Sequence, residues 1–220
     1  MGINDKNLAT LEWVFDRYKI RSVLELGAQI FYQNYKILRS GIYANNYYKL
    51  KGVESYKCID LNGENGAINL DLTVPHVLEK VDLVTDFGTS EHIAGYDNAD
   101  ESETHYDGNN TWKNSTQEHA VGVEAFYNCW TTKYNASKLL ILSSNPATGH
   151  WKGHGHFYHT TKFYTKLCKL TGMKPVVLEE HFAMGNTTDG KEVCCALDVR
   201  GSHWITLEEF KAAYQYIYPV

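Results

Sequence analysis

The chain has 220 residues and a formal net charge of −5, with a pI of about 6.0. This acidic balance argues against nucleic acid and anionic membranes as partners, because proteins that bind them carry a basic footprint. No apolar run reaches the roughly 18 residues that span a bilayer, and the first residues lack the pattern of a signal peptide. Five cysteines form no even disulfide framework, so we expect a cytoplasmic protein. The length of the chain predicts a single domain.

The first half of the chain alternates between helical and extended patterns. Apolar residues at helical spacing predict a first helix between Asn4 and Tyr18, and a second helix is predicted from Ile30 to Arg39. The tyrosine-rich segment Tyr43–Ser55 is predicted as a loop, and Pro75 suits the start of a short helix. Short apolar runs predict strands at Ser22–Leu26, Tyr56–Leu61, Ala67–Leu72 and Val81–Gly88.

The second half begins with the segment Gly95–Asn114, which has no periodicity and is predicted as a loop or lid inserted into the domain. Ser115 to Glu118 has the spacing of a capping box that opens a helix. Further helices are predicted over Thr161–Leu170 and after Thr206. Three more strands are predicted, at Lys138–Ser143, Pro175–Phe182 and Glu192–Val199.

These elements predict an α/β fold with a mostly parallel sheet, helices on both faces and a C-terminal antiparallel hairpin at one edge. Carboxylates lie at the C-terminal ends of several parallel strands. In open α/β sheets, ligands bind at these C-terminal strand ends. Gly27 allows the backbone to approach a ligand closely, and Asp60 can accept hydrogen bonds from ribose hydroxyls. The alternative is that Glu25, Gly27 and Asp60 only mark a tight turn and two strand ends.

The order of these motifs resembles that of class I S-adenosylmethionine-dependent methyltransferases. The matching segments are Glu25-Leu26-Gly27, Asp60-Leu61-Asn62-Gly63, Asp71-Leu72, Asp86-Phe87-Gly88 and Glu91-His92. The resemblance implies a Rossmann-like sheet of seven strands, the last of them antiparallel, with S-adenosylmethionine bound over the ends of the first strands.

The resemblance also implies roles for individual residues. Glu25 and Gly27 would flank the methionine part of the cofactor, Asp60 would take the ribose hydroxyls, and Asp71 the adenine amino group. The turn that begins at Asp86 would lie near the reacting methyl group. The residues expected to bind the cofactor are therefore Glu25, Gly27, Asp60, Leu61, Asp71, Leu72, Asp86 and Gly88.

Histidines crowd the segment after the fifth predicted strand, among them His150, His154 and His156. Histidine titrates near neutral pH, so one of them, or Glu91-His92 after the fourth strand, is a candidate general base. In one alternative the histidines bind a divalent metal, as in methyltransferases with a Glu-x-x-Glu-His motif. This chain matches that motif incompletely, because Gly88 stands at the position of the first glutamate. In another they form a solvated loop, and Glu91 lies in the first turn of a helix.

We therefore expect an S-adenosylmethionine-dependent methyltransferase that acts on a small molecule, with transfer to oxygen. Gly27 is followed by Ala28-Gln29 in place of further glycines, which keeps open a non-catalytic module that binds an adenosyl group or a protein partner. A nucleotide-sugar or NAD-dependent enzyme is a third alternative, against which the missing Gly-x-Gly-x-x-Gly argues. The acceptor, the use of a metal and the oligomeric state stay open.

Overall fold

A seven-stranded sheet organises the part of the chain that the computed structural model describes, residues 2–31, 39, 41–61, 63–93, 116–149, 157–182 and 190–219. Its strands are β1 (Ser22–Leu26), β2 (Ser55–Asp60), β3 (Ile68–Asn69), β4 (Val81–Phe87), β5 (Ser137–Gly149), β6 (Lys174–Phe182) and β7 (Gly190–Asp198). They are hydrogen-bonded in the order β3-β2-β1-β4-β5-β7-β6. Strand β7 is antiparallel to both of its neighbours, and the pairs from β3 to β5 are parallel.

Helices cover the sheet, and their ends follow local sequence signals. They are α1 (Asp5–Arg17), α2 (Asn45–Leu50), α3 (Thr116–Ala136), α4 (Thr161–Thr171) and α5 (Leu207–Tyr214). The Asn4 side chain caps α1 by accepting hydrogen bonds from the amides of Lys6 and Asn7. Gly172, in the left-handed conformation, ends α4, and a capping box between Thr206 and Glu209 opens α5.

Two apolar clusters place these helices on opposite faces of the sheet. On one face the helices α3, α4 and α5 contribute large aromatic side chains, Phe126, Trp130, Phe163 and Phe210. On the other face α1 and α2 contribute Leu11, Val14, Tyr47 and Tyr48. Burying a large apolar side chain contributes about 1.5–3 kcal/mol to the free energy of unfolding. Both clusters therefore hold the helices firmly against the sheet.

The structure confirms the predicted α/β class, the mostly parallel seven-stranded sheet, the C-terminal hairpin and helices on both faces. The reversed strand β7 lies between β5 and β6, so β6 is the outermost strand. One detail differs: the predicted third strand is shorter and is confined to Ile68–Asn69. The predicted lid at 95–114 lies outside the described residues.

Three local predictions were wrong. Ile30–Phe31 is a strand that pairs with Gly2–Ile3, so no helix begins at Ile30; residues 32–38 of that predicted helix lie outside the described part. The segment Tyr43–Ser55, predicted as a loop, contains the helix α2. Two of its tyrosines, Tyr47 and Tyr48, are fully buried, and this burial stabilises the helix against the sheet. Residues 75–80 form no helix and run directly into β4.

Candidate functional site

The loops that follow the parallel strands meet at one edge of the sheet. In the strand register Leu26 lies between Ile59 of β2 and Asp86 of β4. The Gly27 amide donates a hydrogen bond to the Ile59 carbonyl at 2.7 Å, and the Gly88 amide donates one to the Ser144 carbonyl at 2.8 Å. The turns after β1 and β4 are thereby tied to the neighbouring strands, which brings the predicted site residues to one edge.

Gly27 occupies a backbone conformation that requires glycine. Its φ is 73°, in the left-handed region that other residues rarely adopt. A Cβ atom there would lie 2.4 Å from the Thr89 Oγ1 atom and 2.8 Å from the Gln29 Nε2 atom. Gln29 donates from Nε2 to the Leu26 carbonyl and to Thr89 Oγ1. The side chains of Gln29 and Thr89 therefore fix this turn, in the place where further glycines were expected.

Glu25 lies beneath the same turn and is fully buried. Its carboxyl accepts hydrogen bonds from the Tyr56 hydroxyl at 2.6 Å, the Gln29 amide at 3.2 Å and the Tyr48 hydroxyl at 3.3 Å. Burial raises the pKa of Glu25 to about 8, although these hydrogen bonds lower it. Glu25 is thus a buried, mostly protonated group at neutral pH that supports the turn from within.

The protonation of Glu25 predicts a dependence of stability on pH. Between pH 5 and 8 the folded state keeps the proton and the unfolded state loses it, so each pH unit costs up to about 1.4 kcal/mol of unfolding free energy. Glu25→Gln mimics the neutral acid and should remove this slope, which urea unfolding at several pH values measures. Glu54→Gln, at an exposed carboxylate, is the control. Equal slopes in wild type and Glu25→Gln would contradict the assignment.

Asp60 lies at the end of β2, next to the Gly27 turn. Its Oδ2 atom accepts a hydrogen bond from the Ala28 amide at 3.0 Å. Leu61, the next residue, is 69 % exposed and offers an apolar surface beside the carboxylate. Glu25 and Asp60 are therefore held on adjacent strands by the same short turn, on one side of the molecule.

Asp71 and Leu72 lie further along the same edge, and only one of them is exposed. Asp71 is exposed, and its Oδ1 atom accepts a hydrogen bond from the Thr73 amide at 2.8 Å. Leu72 is buried in the cluster beneath α3. The Asp71 carboxylate thus closes a local turn, and Leu72 belongs to the core.

Asp86, the second-last residue of β4, forms a fully buried ion pair with Lys133 of α3, at 2.5 Å. Its carboxylate also accepts hydrogen bonds from the Thr89 and Ser90 amides and from the Ser90 and Ser143 hydroxyls. Burial alone would raise the pKa of Asp86, but the Lys133 ammonium and these hydrogen bonds hold it well below its usual range. Asp86 therefore fixes the turn that leads through Gly88 to Ser90.

The sequence analysis missed a buried polar network around this ion pair. Asn145 donates to the Ser143 hydroxyl at 2.7 Å and contacts the Tyr164 hydroxyl, which lies 3.0 Å from His159 Nδ1. Burial, with the nearby Lys133 charge, lowers the pKa of His159 to about 3, so this histidine stays neutral. One signal was available: Lys133 follows Phe126 and Trp130 at helical spacing, on the apolar face of α3.

Glu91 and His92 form a short 3-10 turn immediately after Asp86–Gly88. Glu91 is fully buried, with its Oε1 atom 3.7 Å from His92 Nε2. Burial, together with the charges of Asp86 and Glu192, raises the pKa of Glu91 well above its ordinary value. A protonated Glu91 is suited to donate a hydrogen bond, and the His92 side chain beside it is 32 % exposed.

The predicted bases His150, His154 and His156 lie outside the described residues. Within the described part of the chain, no group of three or more histidine, cysteine, aspartate or glutamate side chains is arranged to hold a metal ion. Among the helices that the structure describes, none is both long enough and apolar enough to cross a bilayer.

Comparison with known proteins finds similarity in structure alone. No protein-family model matches the chain, and no curated protein matches it in sequence. Among solved structures, the N-methyltransferase NodS from Bradyrhizobium japonicum WM9 aligns with a TM-score of 0.50 at 9 % identity, covering 88 % of this chain and 94 % of NodS. At this identity the likeness shows a shared fold. The chain thus shares the α/β fold of this solved structure, and in this chain β7 is the reversed strand.

Proposed function

We propose that the protein is an S-adenosylmethionine-dependent methyltransferase. The observation that carries the proposal is the sheet edge at which the Gly27 turn, Asp60 and the Asp86–Ser90 turn are tied together by hydrogen bonds. Ligands of open α/β sheets bind at this edge, and the shared fold with a methyltransferase supports this chemistry over other uses of the sheet.

The residues at this edge fit an adenosyl cofactor in type and position. Asp60 has a carboxylate for ribose hydroxyls, and the exposed Leu61 beside it offers an apolar surface for the adenine ring. Gly27 and Gln29 would flank the methionine part. We assign Glu25 and Asp86 supporting roles, because their carboxyl groups already bind protein donors. Leu72 would support the edge from the core, and Asp71 remains the proposed contact to adenine.

The bound cofactor supplies an activated methyl group on a sulfonium ion. The protein must mainly align the acceptor and exclude water, which is worth about 7–11 kcal/mol in well-oriented systems. As expected from the sequence, we propose that the methyl acceptor is a small molecule and that the methyl group is transferred to an oxygen atom. An oxygen acceptor of high pKa needs a base, and His92 is placed for this role at the end of the Asp86–Ser90 turn.

Thermal unfolding with candidate ligands tests the proposal directly. A ligand present at 100 times its dissociation constant adds about 2.7 kcal/mol of stability to a protein that binds it only when folded. We expect S-adenosylmethionine and S-adenosylhomocysteine to raise the melting temperature, and NAD to leave it unchanged. If only NAD raised the melting temperature, the protein would be an NAD-dependent enzyme instead. No stabilisation by any of the three would reject the proposal.

One specific observation favours a second candidate, a binding module without catalysis. Gln29, only 1 % exposed, fills part of the turn where the resemblance expects glycine. If binding occurs without turnover, incubation with labelled S-adenosylmethionine and extracts that contain small molecules should transfer no label. Transfer of label to any small molecule would establish the enzyme and identify the acceptor.

A further inference from the structure

A second polar cluster lies at the same edge of the sheet, on the side of β5 and β7 away from Asp60. Its centre is Glu192 of β7, whose side chain is 13 % exposed. The Oε2 atom of Glu192 accepts hydrogen bonds from Asn4 Nδ2, Asn7 Nδ2 and Ser144 Oγ at 3.0–3.5 Å. It also lies 3.5 Å from His181 Nε2, without a hydrogen bond between them.

One of these contacts has a structural role in holding α1. Asn4 caps α1, so its bond to Glu192 fixes the start of that helix against the sheet. This role uses one oxygen of the carboxylate. Among the described residues, no donor meets the other oxygen, and neither a lysine nor an arginine lies in ion-pair contact with Glu192.

Two further side chains in the cluster retain polar atoms without hydrogen bonds. Asn7 is 2 % exposed, and its Oδ1 atom has no partner, although its Nδ2 atom is 3.5 Å from Glu192. The His181 side chain is 9 % exposed, and neither ring nitrogen makes a hydrogen bond of good geometry. Leaving such buried atoms unpaired costs about 1–3 kcal/mol each, so the cluster has polar atoms for which the described part of the chain supplies no partner.

The cluster also adjoins the proposed methyl-transfer site. The Gly88 amide donates to the Ser144 carbonyl, and the Ser144 hydroxyl donates to Glu192 at 3.2 Å. The cofactor side of the edge, at β1 and β2, is separated from this cluster by β4 and β5.

We propose that Glu192, Asn7 and His181 bind the amino group of the acceptor molecule, so that the substrate is a small molecule that carries a primary or secondary amine. The vacant positions are acceptors: a carboxylate oxygen, a carboxamide oxygen and an imidazole nitrogen. An ammonium group is all donor, with two or three N–H groups and a positive charge, and matches this set. A metal ion is a poorer match, because the described residues contain no group of three or more ligands of the usual types. The proposal rests on the proposed function, since it identifies the bound molecule as the methyl acceptor.

Ligand-detected NMR titration tests the proposal on the whole protein. The probes are small primary and secondary amines, each paired with the alcohol of the same carbon skeleton, in the presence of S-adenosylhomocysteine. We expect amines to bind more tightly than their alcohols to the wild type. Glu192→Gln should weaken amine binding at least about tenfold, as expected for loss of a charged hydrogen bond, and should leave alcohol binding unchanged.

Glu180→Gln is the matched control, because Glu180 lies beside His181 on β6 and its carboxylate is one-third exposed. Asn7→Ala provides a second variant if Glu192→Gln does not fold, and it should also weaken amine binding. Amines that bind no better than alcohols, or equally well to Glu192→Gln, would overturn the proposal. Failure of S-adenosylhomocysteine to bind the wild type would instead reject the proposed function, and amine selectivity would still report on the cluster.

Discussion

Replacing Lys133 with methionine is expected to destabilise the fold by about 3–5 kcal/mol, the usual cost of leaving a buried charge without its partner. Lys133 and Asp86 are both fully buried, and their side chains meet at 2.5 Å. Methionine has a similar length and can keep contact with the Trp130 ring, which lies 4.2 Å from Lys133 Nζ. The loss therefore reports on the unpaired Asp86 carboxylate. Urea unfolding followed by tryptophan fluorescence measures it.

Two further variants make this prediction specific. Lys138→Met removes an exposed lysine near the start of β5, and its effect should stay within about 0.5 kcal/mol. The double variant Lys133→Met, Asp86→Asn removes both charges, and we expect it to be more stable than Lys133→Met alone. A small loss in Lys133→Met, or no recovery in the double variant, would show that the pair is not coupled as the structure indicates.

The ion pair also shows where the sequence analysis was informative and where it was not. Asp86 was recognised from its place after an apolar strand, because the pattern of a buried parallel strand is carried by consecutive residues. Its partner Lys133 is distant in the chain, and pairing across such a distance is decided by how α3 packs on the sheet. The same reason hid the contacts of Glu25 with Tyr48 and Tyr56, which come from α2 and β2.

The errors in secondary structure have a common physical origin. The tyrosines of Tyr43–Ser55 suggested a loop surface, but two of them are fully buried against β1 and α1 in the same cluster. Ile30–Phe31 was assigned to a helix, yet it pairs with the N-terminal Gly2–Ile3. In both cases a contact with a distant segment overrode the local pattern. The seven strands of the sheet, in contrast, were predicted from apolar runs, and the structure contains a strand at each of these places.

The sequence analysis placed several residues at the same end of the sheet but could not show their contacts. Strand ends mark the edge of a parallel sheet, so Gly27, Asp60 and Asp86 could be placed together from the sequence. Which of them face a ligand depends on hydrogen bonds that only coordinates show. Glu25 and Asp86 use their oxygens within the protein, whereas Asp60 lies beside the exposed Leu61. Asp60 is therefore the strongest test of the proposed cofactor site.

Replacing Asp60 with alanine is expected to lower the affinity for S-adenosylhomocysteine at least about 100-fold, because hydrogen bonds to a charged group contribute about 1.5–3 kcal/mol each and a ribose offers two hydroxyls. Isothermal titration calorimetry measures the change. An analogue without the two ribose hydroxyls should bind wild type and Asp60→Ala with similar affinity. If the variant loses affinity for this analogue as strongly, Asp60 does not contact the ribose.

The loss of the bond between Asp60 and the Ala28 amide has to be separated from the loss of ligand contacts. Asp82→Ala is the matched control, since Asp82 accepts hydrogen bonds from the Arg21 and Ser22 amides at the opposite end of β1. It removes a carboxylate of the same kind from β4, the other neighbour of β1, away from the site. We expect Asp82→Ala to lose stability and keep its affinity for S-adenosylhomocysteine. Unchanged affinity in a folded Asp60→Ala variant would remove the ribose from this position and, with it, the basis for placing the cofactor over β1 and β2.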